Sequence, residues 1–334
     1  RHNLASLLAS EGNLSAALTL LEEALALKPD YQEAMVLKAA ITSDKNKMFR
    51  DDLFADTILK NPDFAFAYNS RNNISNLFKV RRTEQFAFHQ SFGERFAQPF
   101  MQRRPSQSVK ADGKIRIGYV SGDFRQHSIS YFFEPLLRSH DKTQFEIFCY
   151  YNNGAIDETT KRLMDYSDHW RSIAGLPDDA VADLVQYDGI HILVDLAGHT
   201  GKNSLMTFAK KPAPIQVTWL GYPNTTGLKA VDFRLTDQIA DPVGDSDQWH
   251  TEELVRLPNG AWCFEGDTAQ LPETTLPYDQ NGFITFGSFN NLSKVNLEVI
   301  GVWAQILSRV PNSKLLLKSS VSPPRETQDD IFSA

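Results

Sequence analysis

Four polar or glycine-rich segments stand where apolar, strand-like runs of the sequence end. They are SGDFRQHS (121–128), DLAGHTGKNS (195–204), GYPNTTG (221–227) and SFNNLSKVN (288–296). In an open parallel sheet, ligands bind beyond the carboxyl ends of the strands, and a helix that starts there offers free N–H groups to an anion. None of the segments is a Walker A or GxGxxG motif, so the pattern alone predicts a ligand cleft of unspecified chemistry.

His127 is the side chain of the first segment that titrates near neutral pH. A histidine in this place can act as a general base that removes a proton from an incoming hydroxyl. It can equally cap the helix that is predicted to begin near Ser128, and spacing does not separate these two roles. Asp123, in the same segment, receives no role from the sequence beyond shaping the turn.

Three further residues carry suitable chemistry in less specific surroundings. His191 lies within an apolar, strand-like run, which favours a core histidine whose hydrogen bonds are satisfied. His199 follows a glycine in a loop and is expected to be more exposed. Lys294 follows two asparagines at a predicted strand-to-helix turn, where a lysine can bind a diphosphate or simply face solvent.

Composition and spacing exclude several classes of protein. The sequence has no H-x-x-x-H pair and no Asp/His triplet at metal-ligand spacing, so no metal site is predicted. No G-x-S-x-G motif supports a serine hydrolase. The net charge of −7, without a long basic block, disfavours a nucleic-acid partner, and no apolar run approaches the ~20 residues that span a bilayer. Cys149 and Cys263 are the only cysteines, which fits a reducing, cytoplasmic compartment.

The elements that would position these residues change character along the chain. From IRIGYVSG (115–122) to ELVRLP (253–258), short β-rich runs alternate with helical ones, which predicts a parallel sheet with crossover helices of the Rossmann type. The run 260–281 contains prolines and many polar residues and marks a boundary. GFITFGSFNN (282–291) then begins a second β-α-β unit, which is cut short.

The first part of the sequence has helical periodicity and an internal repeat. The segment around Pro29 (LKPDYQEA) recurs around Pro62 (KNPDFAFA), 33 residues later. With small residues at Ala17 and Ala24, this pattern resembles tetratricopeptide repeats, whose usual length is ~34 residues. An unrelated helical hairpin is the alternative. Residues 75–105 are predicted to form one long amphipathic helix whose phenylalanines could dock it onto a neighbour.

These patterns predict an α + α/β fold. Tetratricopeptide-like helical repeats would occupy 1–74, a linking helix and linker 75–110, a Rossmann-like lobe 111–270, and the truncated start of a second such lobe 280–334. The chain opens inside a predicted helix without a methionine and stops soon after a predicted strand. We therefore expect it to be an internal piece of a longer protein.

Several segments together resemble the O-linked N-acetylglucosamine (O-GlcNAc) transferase family, glycosyltransferase family 41. They are GYVSGDFRQHSIS, DGIHILVDLAGHT, PAPIQVTWLGYPNTTG, FGSFNNLSK and WAQILSRVPNSKLLL, and they occur in the family's order. In that family, tetratricopeptide repeats precede a GT-B catalytic region of two Rossmann-like lobes. The resemblance therefore implies a bacterial-type member in which 111–270 is the N-terminal catalytic lobe and 280–334 begins the nucleotide-binding lobe.

The resemblance also implies site residues. His127 matches the family histidine that is proposed as catalytic base or acceptor-side contact, and His191 matches a histidine placed near the active centre. Lys294 matches the lysine that contacts the nucleotide diphosphate. Asn291 stands where animal members carry glutamine, which weakens its match as a nucleotide contact. His199 stands where animal members carry tyrosine and receives no catalytic role.

The implied activity is the inverting transfer of N-acetylglucosamine from UDP-N-acetylglucosamine (UDP-GlcNAc) to Ser or Thr hydroxyls of polypeptides. It would use neither metal nor cofactor, since the nucleotide sugar is the donor substrate. The implied partners are a polypeptide acceptor and the nucleotide sugar, without nucleic acid or membrane, and the repeats could also join copies of the chain. We expect the 334-residue piece to be inactive alone, because most uridine contacts of the family belong to a segment beyond Ala334.

Two alternatives stay open. One is a related transferase with another donor, either a GDP-fucose-dependent O-fucosyltransferase or a UDP-hexose-dependent N-glycosyltransferase. The other is a non-catalytic scaffold that binds peptides through its repeats. The presence of both His127 and Lys294 argues against the scaffold.

Overall fold

The structure, a computed structural model, describes residues 1–45, 49–96, 113–266, 275–290 and 294–318. The chain divides into two compact units. One consists of Arg1–Asn61, Leu77–Lys79 and Asp267–Ala334, and the other of Pro62–Asn76 and Val80–Gly266. No helix within the described ranges is long and apolar enough to cross a bilayer.

The N-terminal helices pack on one another in chain order. Their bounds are α1 His2–Ser10, α2 Leu14–Leu27, α3 Gln32–Lys45 and α4 Asp51–Lys60. Ala17 of α2 and Ala5 of α1 are fully buried, since small side chains let paired helices approach closely. Because α2 ends just before Pro29 and packs between α1 and α3, the predicted helical repeat is confirmed.

Helices α5 (Ala65–Ser75) and α6 (Arg82–Phe96) belong to the other unit. The prediction of one helix over 75–105 is wrong at its start, because α5 ends where that helix should begin. The Asn76 side chain donates to the carbonyl oxygen of Asn72 at 3.0 Å, which satisfies a carbonyl of the last turn and ends α5. The rest of the predicted segment, from residue 97, lies outside the described residues.

Within the described part of the chain, parallel strands form one seven-stranded sheet in this unit. Their bounds are β1 Ile115–Ser121, β2 Phe145–Tyr151, β3 His169–Ser172, β4 Ile192–Asp195, β5 Ile215–Thr218, β6 Phe233–Thr236 and β7 Glu253–Arg256. The order across the sheet is β3-β2-β1-β4-β5-β6-β7, so the chain changes direction between β1 and β4. This switch point is where sheets of this type bind ligands.

Crossover helices connect the strands. They are α7 Ser128–Ser139, α8 Glu158–Tyr166, α9 Asp178–Tyr187 and α10 Leu205–Ala209. The central strands are nearly continuous apolar runs, as expected for a sheet that is covered on both faces. Phe133 of α7 and Ile147 of β2 are fully buried in the core where the helices pack on the sheet. The Rossmann-like prediction is confirmed.

The last described elements are α11 (Pro277–Asn281), β8 (Thr285–Ser288), α12 (Leu297–Arg309) and β9 (Lys314–Leu317). Strands β8 and β9 pair in parallel, with Thr285 opposite Lys314. A parallel pair needs a crossover connection, which α12 provides. The predicted β-α-β unit is therefore present.

Candidate active site

A cavity of about 550 Å³ opens at the carboxyl edge of the seven-stranded sheet. The loops that follow β1, β2, β4 and β5 line it, through Asp123, Arg125, His127, Ile129, Asn153, Ala155, Leu196, Thr200, Gly201, Lys202 and Gly221. The volume lies within the range of small-molecule sites. Three of the polar segments predicted from the sequence, 121–128, 195–204 and 221–227, meet at this cavity.

His127 is the N-cap residue of α7. Its Nδ1 accepts a hydrogen bond from the Ile129 N–H at 3.3 Å, and 37% of the side chain is exposed. The same Nδ1 lies 3.8 Å from Oδ2 of Asp123. The structure thus confirms the capping interpretation and at the same time places the ring on the cavity wall, where it can meet a ligand.

Asp123 is held in a tight turn after β1. Its N–H donates to the Ser121 Oγ at 2.9 Å, and the Ser130 Oγ donates to its carbonyl oxygen at 3.1 Å. Its Oδ1 accepts from Arg125 Nη2 at 3.3 Å, while Oδ2 faces His127. One carboxylate therefore stands between a guanidinium and an imidazole, and local hydrogen bonds fix its backbone.

Asp195 shapes the loop that follows β4. Its carboxylate accepts from the backbone N–H groups of Ala197 and Gly198, at 3.0 Å and 2.9 Å, and from the Thr218 hydroxyl at 2.8 Å. Burial raises the pKa of this carboxyl above its ordinary value, although each of these hydrogen bonds favours the charged form. The group organises the loop that carries residues 200–202 to the cavity.

His199 is buried, so the expectation of an exposed loop histidine is wrong. Only 2% of the residue is accessible, because α5 and α6 cover this part of the carboxyl edge. Its Nε2 lies 2.9 Å from the Thr226 carbonyl oxygen, and its Nδ1 lies 2.6 Å from Oδ1 of Asn69 in α5. Burial lowers the pKa of His199 well below its usual value.

His89 of α6 completes this covered region. Its Nδ1 donates to the Gln85 carbonyl oxygen at 2.6 Å, and its Nε2 lies 2.7 Å from the Tyr222 hydroxyl. Burial lowers the pKa of His89 to about 4. A Cβ on Gly93 would collide with the carbonyl oxygen of Gly227, so α6 reaches the loop only because Gly93 has no side chain.

His191 lies at the opposite, amino edge of the sheet, one residue before β4 begins. Its Nδ1 accepts from the Arg116 N–H at 2.9 Å; burial and then the charge of Arg116 lower the pKa of the ring. The length of β4, at ~3.3 Å per residue, separates it from the cavity loops by roughly 13 Å. The structure does not bring His191 to His127, and its catalytic role stays a prediction.

Lys294 lies in the other unit, between β8 and the N-cap residue of α12, Asn296. Its side chain is exposed at the strand-to-helix turn that the sequence predicted. Asn291 lies outside the described residues. Within the described ranges, no three His, Cys, Asp or Glu side chains come together as metal ligands would.

Sequence reasoning missed Glu252, which holds the loop 221–227 in shape. This buried carboxylate precedes β7 and accepts from the Thr225 hydroxyl at 2.6 Å and the Thr226 N–H at 2.8 Å. Only the hydroxyl-rich NTTG sequence could have indicated that a buried acceptor was needed. Its position, more than twenty residues along the chain, follows from the pairing of β6 with β7.

Comparisons with known proteins agree with this geometry. Residues 96–276 match the family model described as Glycosyl transferase family 41. A protein of Oryza sativa subsp. japonica named "Probable UDP-N-acetylglucosamine--peptide N-acetylglucosaminyltransferase SPINDLY" is 46% identical over 235 residues, 69% of this chain and 25% of that protein. A protein of Arabidopsis thaliana named "Probable UDP-N-acetylglucosamine--peptide N-acetylglucosaminyltransferase SEC" is 32% identical over 274 residues, 77% of this chain and 27% of that protein.

Among solved structures, a lysine-to-methionine mutant of the Thermobaculum terrenum O-GlcNAc transferase matches with a TM-score of 0.82 at 34% identity. The match covers 95% of this chain and 60% of that one. The chain spans about a quarter of the length of the two plant relatives. The fold, with helical repeats before a GT-B lobe, is thus the fold of that transferase.

Proposed function

Because the chain belongs to glycosyl transferase family 41, we propose that its protein transfers a sugar from a nucleotide-sugar donor to Ser or Thr hydroxyls of polypeptides. The proposed donor is UDP-GlcNAc, the nucleotide sugar in the names of the plant relatives. One observation carries the proposal: His127, in the segment that matches the family, lines a cavity at the switch point of the sheet. The acceptor hydroxyl of the polypeptide would enter this cavity.

The proposed reaction is an inverting displacement at the anomeric carbon. The acceptor hydroxyl oxygen forms the new bond to that carbon, the bond from the carbon to the diphosphate oxygen breaks, and the hydroxyl proton passes to a base. His127 is the proposed base, because it lines the cavity and an imidazole nitrogen can accept the proton of a hydroxyl. The nucleoside diphosphate is the leaving group.

A base must direct an unprotonated nitrogen at the hydroxyl. In the structure Nδ1 of His127 accepts the Ile129 N–H, so a neutral ring carries its proton on Nε2. A turn of the ring toward Asp123, whose Oδ2 lies 3.8 Å from Nδ1, would let the carboxylate hold the proton on Nδ1 and free Nε2. We therefore propose Asp123 as a positioning residue that selects the reactive tautomer of His127.

Lys294 is proposed to stabilise the charge that develops on the diphosphate, which is the electrostatic work that a metal ion does in other enzymes. Its exposed position, two residues before the N-cap residue Asn296 of α12, suits that role because a helix N-terminus favours negative charge. Asn291 is proposed as a further nucleotide contact. The free cysteines Cys149 and Cys263 fit a cytoplasmic setting.

The test uses the protein at its full natural length. Purified protein is incubated with labelled UDP-GlcNAc, UDP-glucose or GDP-fucose and with a mixed peptide substrate, and both sugar transfer and donor hydrolysis are measured. We expect UDP-GlcNAc to be used, and His127→Ala to lose most of the turnover. Use of GDP-fucose or UDP-glucose instead would replace the donor and keep the reaction class. No turnover with any donor would leave a peptide-binding scaffold.

A further inference from the structure

Lys202 is held over the cavity in an unusual backbone conformation. Its φ is +55°, in the left-handed region of backbone conformation that residues other than glycine and asparagine rarely adopt. The Asn152 side chain donates to the Lys202 carbonyl oxygen at 3.1 Å, and Gly122 packs against its Cβ, so two neighbouring loops fix this conformation. Strain of this kind persists where the surroundings enforce it, often at functional sites.

The neutral side chain of Asn153 fixes the position of the Lys202 ammonium group. Its Nζ donates to Oδ1 of Asn153 at 2.6 Å, and Asn153 is itself buried and donates to the Gly122 carbonyl oxygen at 2.9 Å. Among the described residues, Lys202 forms no ion pair with a carboxylate. Its position is therefore fixed while its charge stays uncompensated.

Positive charge predominates on the cavity wall. Arg125 and Lys202 are cationic, and Asp123 is the single carboxylate among the described lining residues. The Asp123 carboxylate contacts both Arg125 and His127, so it does not neutralise the positive charge of the wall. A chain with a net charge of −7 thus presents a positive cavity, and such a site concentrates anions.

We infer that Lys202, with Arg125, forms a binding subsite beside His127 for an anionic oxygen group of a substrate, a carboxylate or a phosphate. Two sources carry this chemistry: an acidic side chain next to the acceptor hydroxyl, and the diphosphate of the donor. The assignment to a substrate rests on the proposed transferase function. The subsite itself rests on the charge and the fixed geometry of Lys202.

The experiment measures equilibrium binding by calorimetry, without turnover, to the full-length protein. The probes are inorganic pyrophosphate, UDP-GlcNAc, and two acetylated peptides with a central Ser flanked by Glu in one and by Gln in the other. The variant is Lys202→Met, which keeps the length of the side chain and removes its charge. The matched control is Lys161→Met, which changes an exposed lysine of α8 that pairs with Glu158 and does not line the cavity.

We expect Lys202→Met to lower the affinity for the anionic probe that the subsite binds about tenfold to hundredfold, the usual effect of losing one charge-assisted hydrogen bond. We expect Lys161→Met to leave the affinity for every probe unchanged. Weaker pyrophosphate and UDP-GlcNAc binding with unchanged peptides would identify the donor diphosphate. A selective loss for the Glu peptide would identify an acidic acceptor. Binding of every probe within twofold of wild type would overturn the subsite. Because no turnover is needed, a protein without transferase activity that still loses pyrophosphate binding would keep the subsite and reject the proposed function.

Discussion

Two histidines follow neighbouring strands at the same edge of one sheet, and their surroundings differ completely. His127, after β1, is 37% exposed on the wall of a cavity, and its ring accepts a 3.3 Å hydrogen bond as the cap of α7. His199, after β4, is 2% exposed, and both of its ring nitrogens have protein partners. The first ring is available to a ligand and the second is not.

The difference comes from helices that precede the sheet in the chain. Helices α5 and α6 cover the carboxyl edge around His199 through a close approach of Gly93 to Gly227 and a hydrogen bond that Nε2 of His89 accepts from the Tyr222 hydroxyl. They leave the loops around His127 open. A position at the carboxyl edge is therefore not enough for chemistry, because the helices decide which loops remain accessible.

The largest expected effect separates the two roles of His127. Asparagine is a good N-cap residue but cannot take up a proton, so His127→Asn should keep the cap of α7 and remove the base. We expect kcat to fall about 10²- to 10⁴-fold, with the melting temperature within a few degrees of wild type. Steady-state kinetics and calorimetry measure both. A kcat within threefold of wild type would remove His127 from catalysis.

The covered histidine His89 predicts a loss of stability in acid. Its folded-state pKa of about 4 lies below the value of ~6.5 expected in the unfolded chain, so the unfolded state binds more protons below pH 6.5. Its contribution is therefore complete above pH 6.5 and is lost as the pH falls to 4, by about 3 kcal/mol.

Urea unfolding at pH 7.5, 5.5 and 4.5 measures this loss, and His89→Gln is the control because glutamine does not titrate. We expect the free energy of unfolding of the variant to depend less on pH than that of wild type. Equal pH dependence in the two proteins would mean that His89 is not buried in its neutral form.

Asp123→Asn tests whether the carboxylate selects the tautomer of His127. The amide keeps the size of the side chain but no longer holds a proton on Nδ1 by charge. We expect kcat to fall about tenfold to hundredfold with KM nearly unchanged, since an interaction made in the transition state is lost. Asp123→Glu should recover part of the rate. A change confined to KM would show that Asp123 contacts substrate instead.

The smallest effect is expected at the amino edge of the sheet. His191→Ala removes the acceptor of the Arg116 N–H and should lower the free energy of unfolding by about 1–2 kcal/mol. We expect kcat to stay within about threefold of wild type at a temperature where the variant is folded. A hundredfold loss of kcat at unchanged stability would instead support the catalytic role that the family resemblance implies.

The sequence predicted the sheet and its loops well, for a physical reason. Buried parallel strands are continuous apolar runs, and polar segments after them mark the carboxyl edge, so 121–128, 195–204 and 221–227 could be placed at one cleft. The family resemblance supplied the chemistry, because spacing alone could not decide whether His127 caps a helix or acts as a general base.

What could not be predicted depends on contacts between distant segments. The burial of His199 requires Asn69, 130 residues away, and the docking of α6. The fixed ammonium of Lys202 requires Asn153 from the loop after β2 and a left-handed backbone that its own sequence does not demand. Local periodicity holds no information about such pairs.

The most direct test of the central claim is a crystal structure of the full-length protein with UDP bound and a Ser-containing acceptor peptide. The account predicts that the acceptor hydroxyl oxygen lies within about 3.2 Å of the Nε2 of His127, inside the cavity lined by Asp123 and Lys202. An acceptor hydroxyl bound outside this cavity, with His127 still in its capping position and facing no substrate atom, would contradict it.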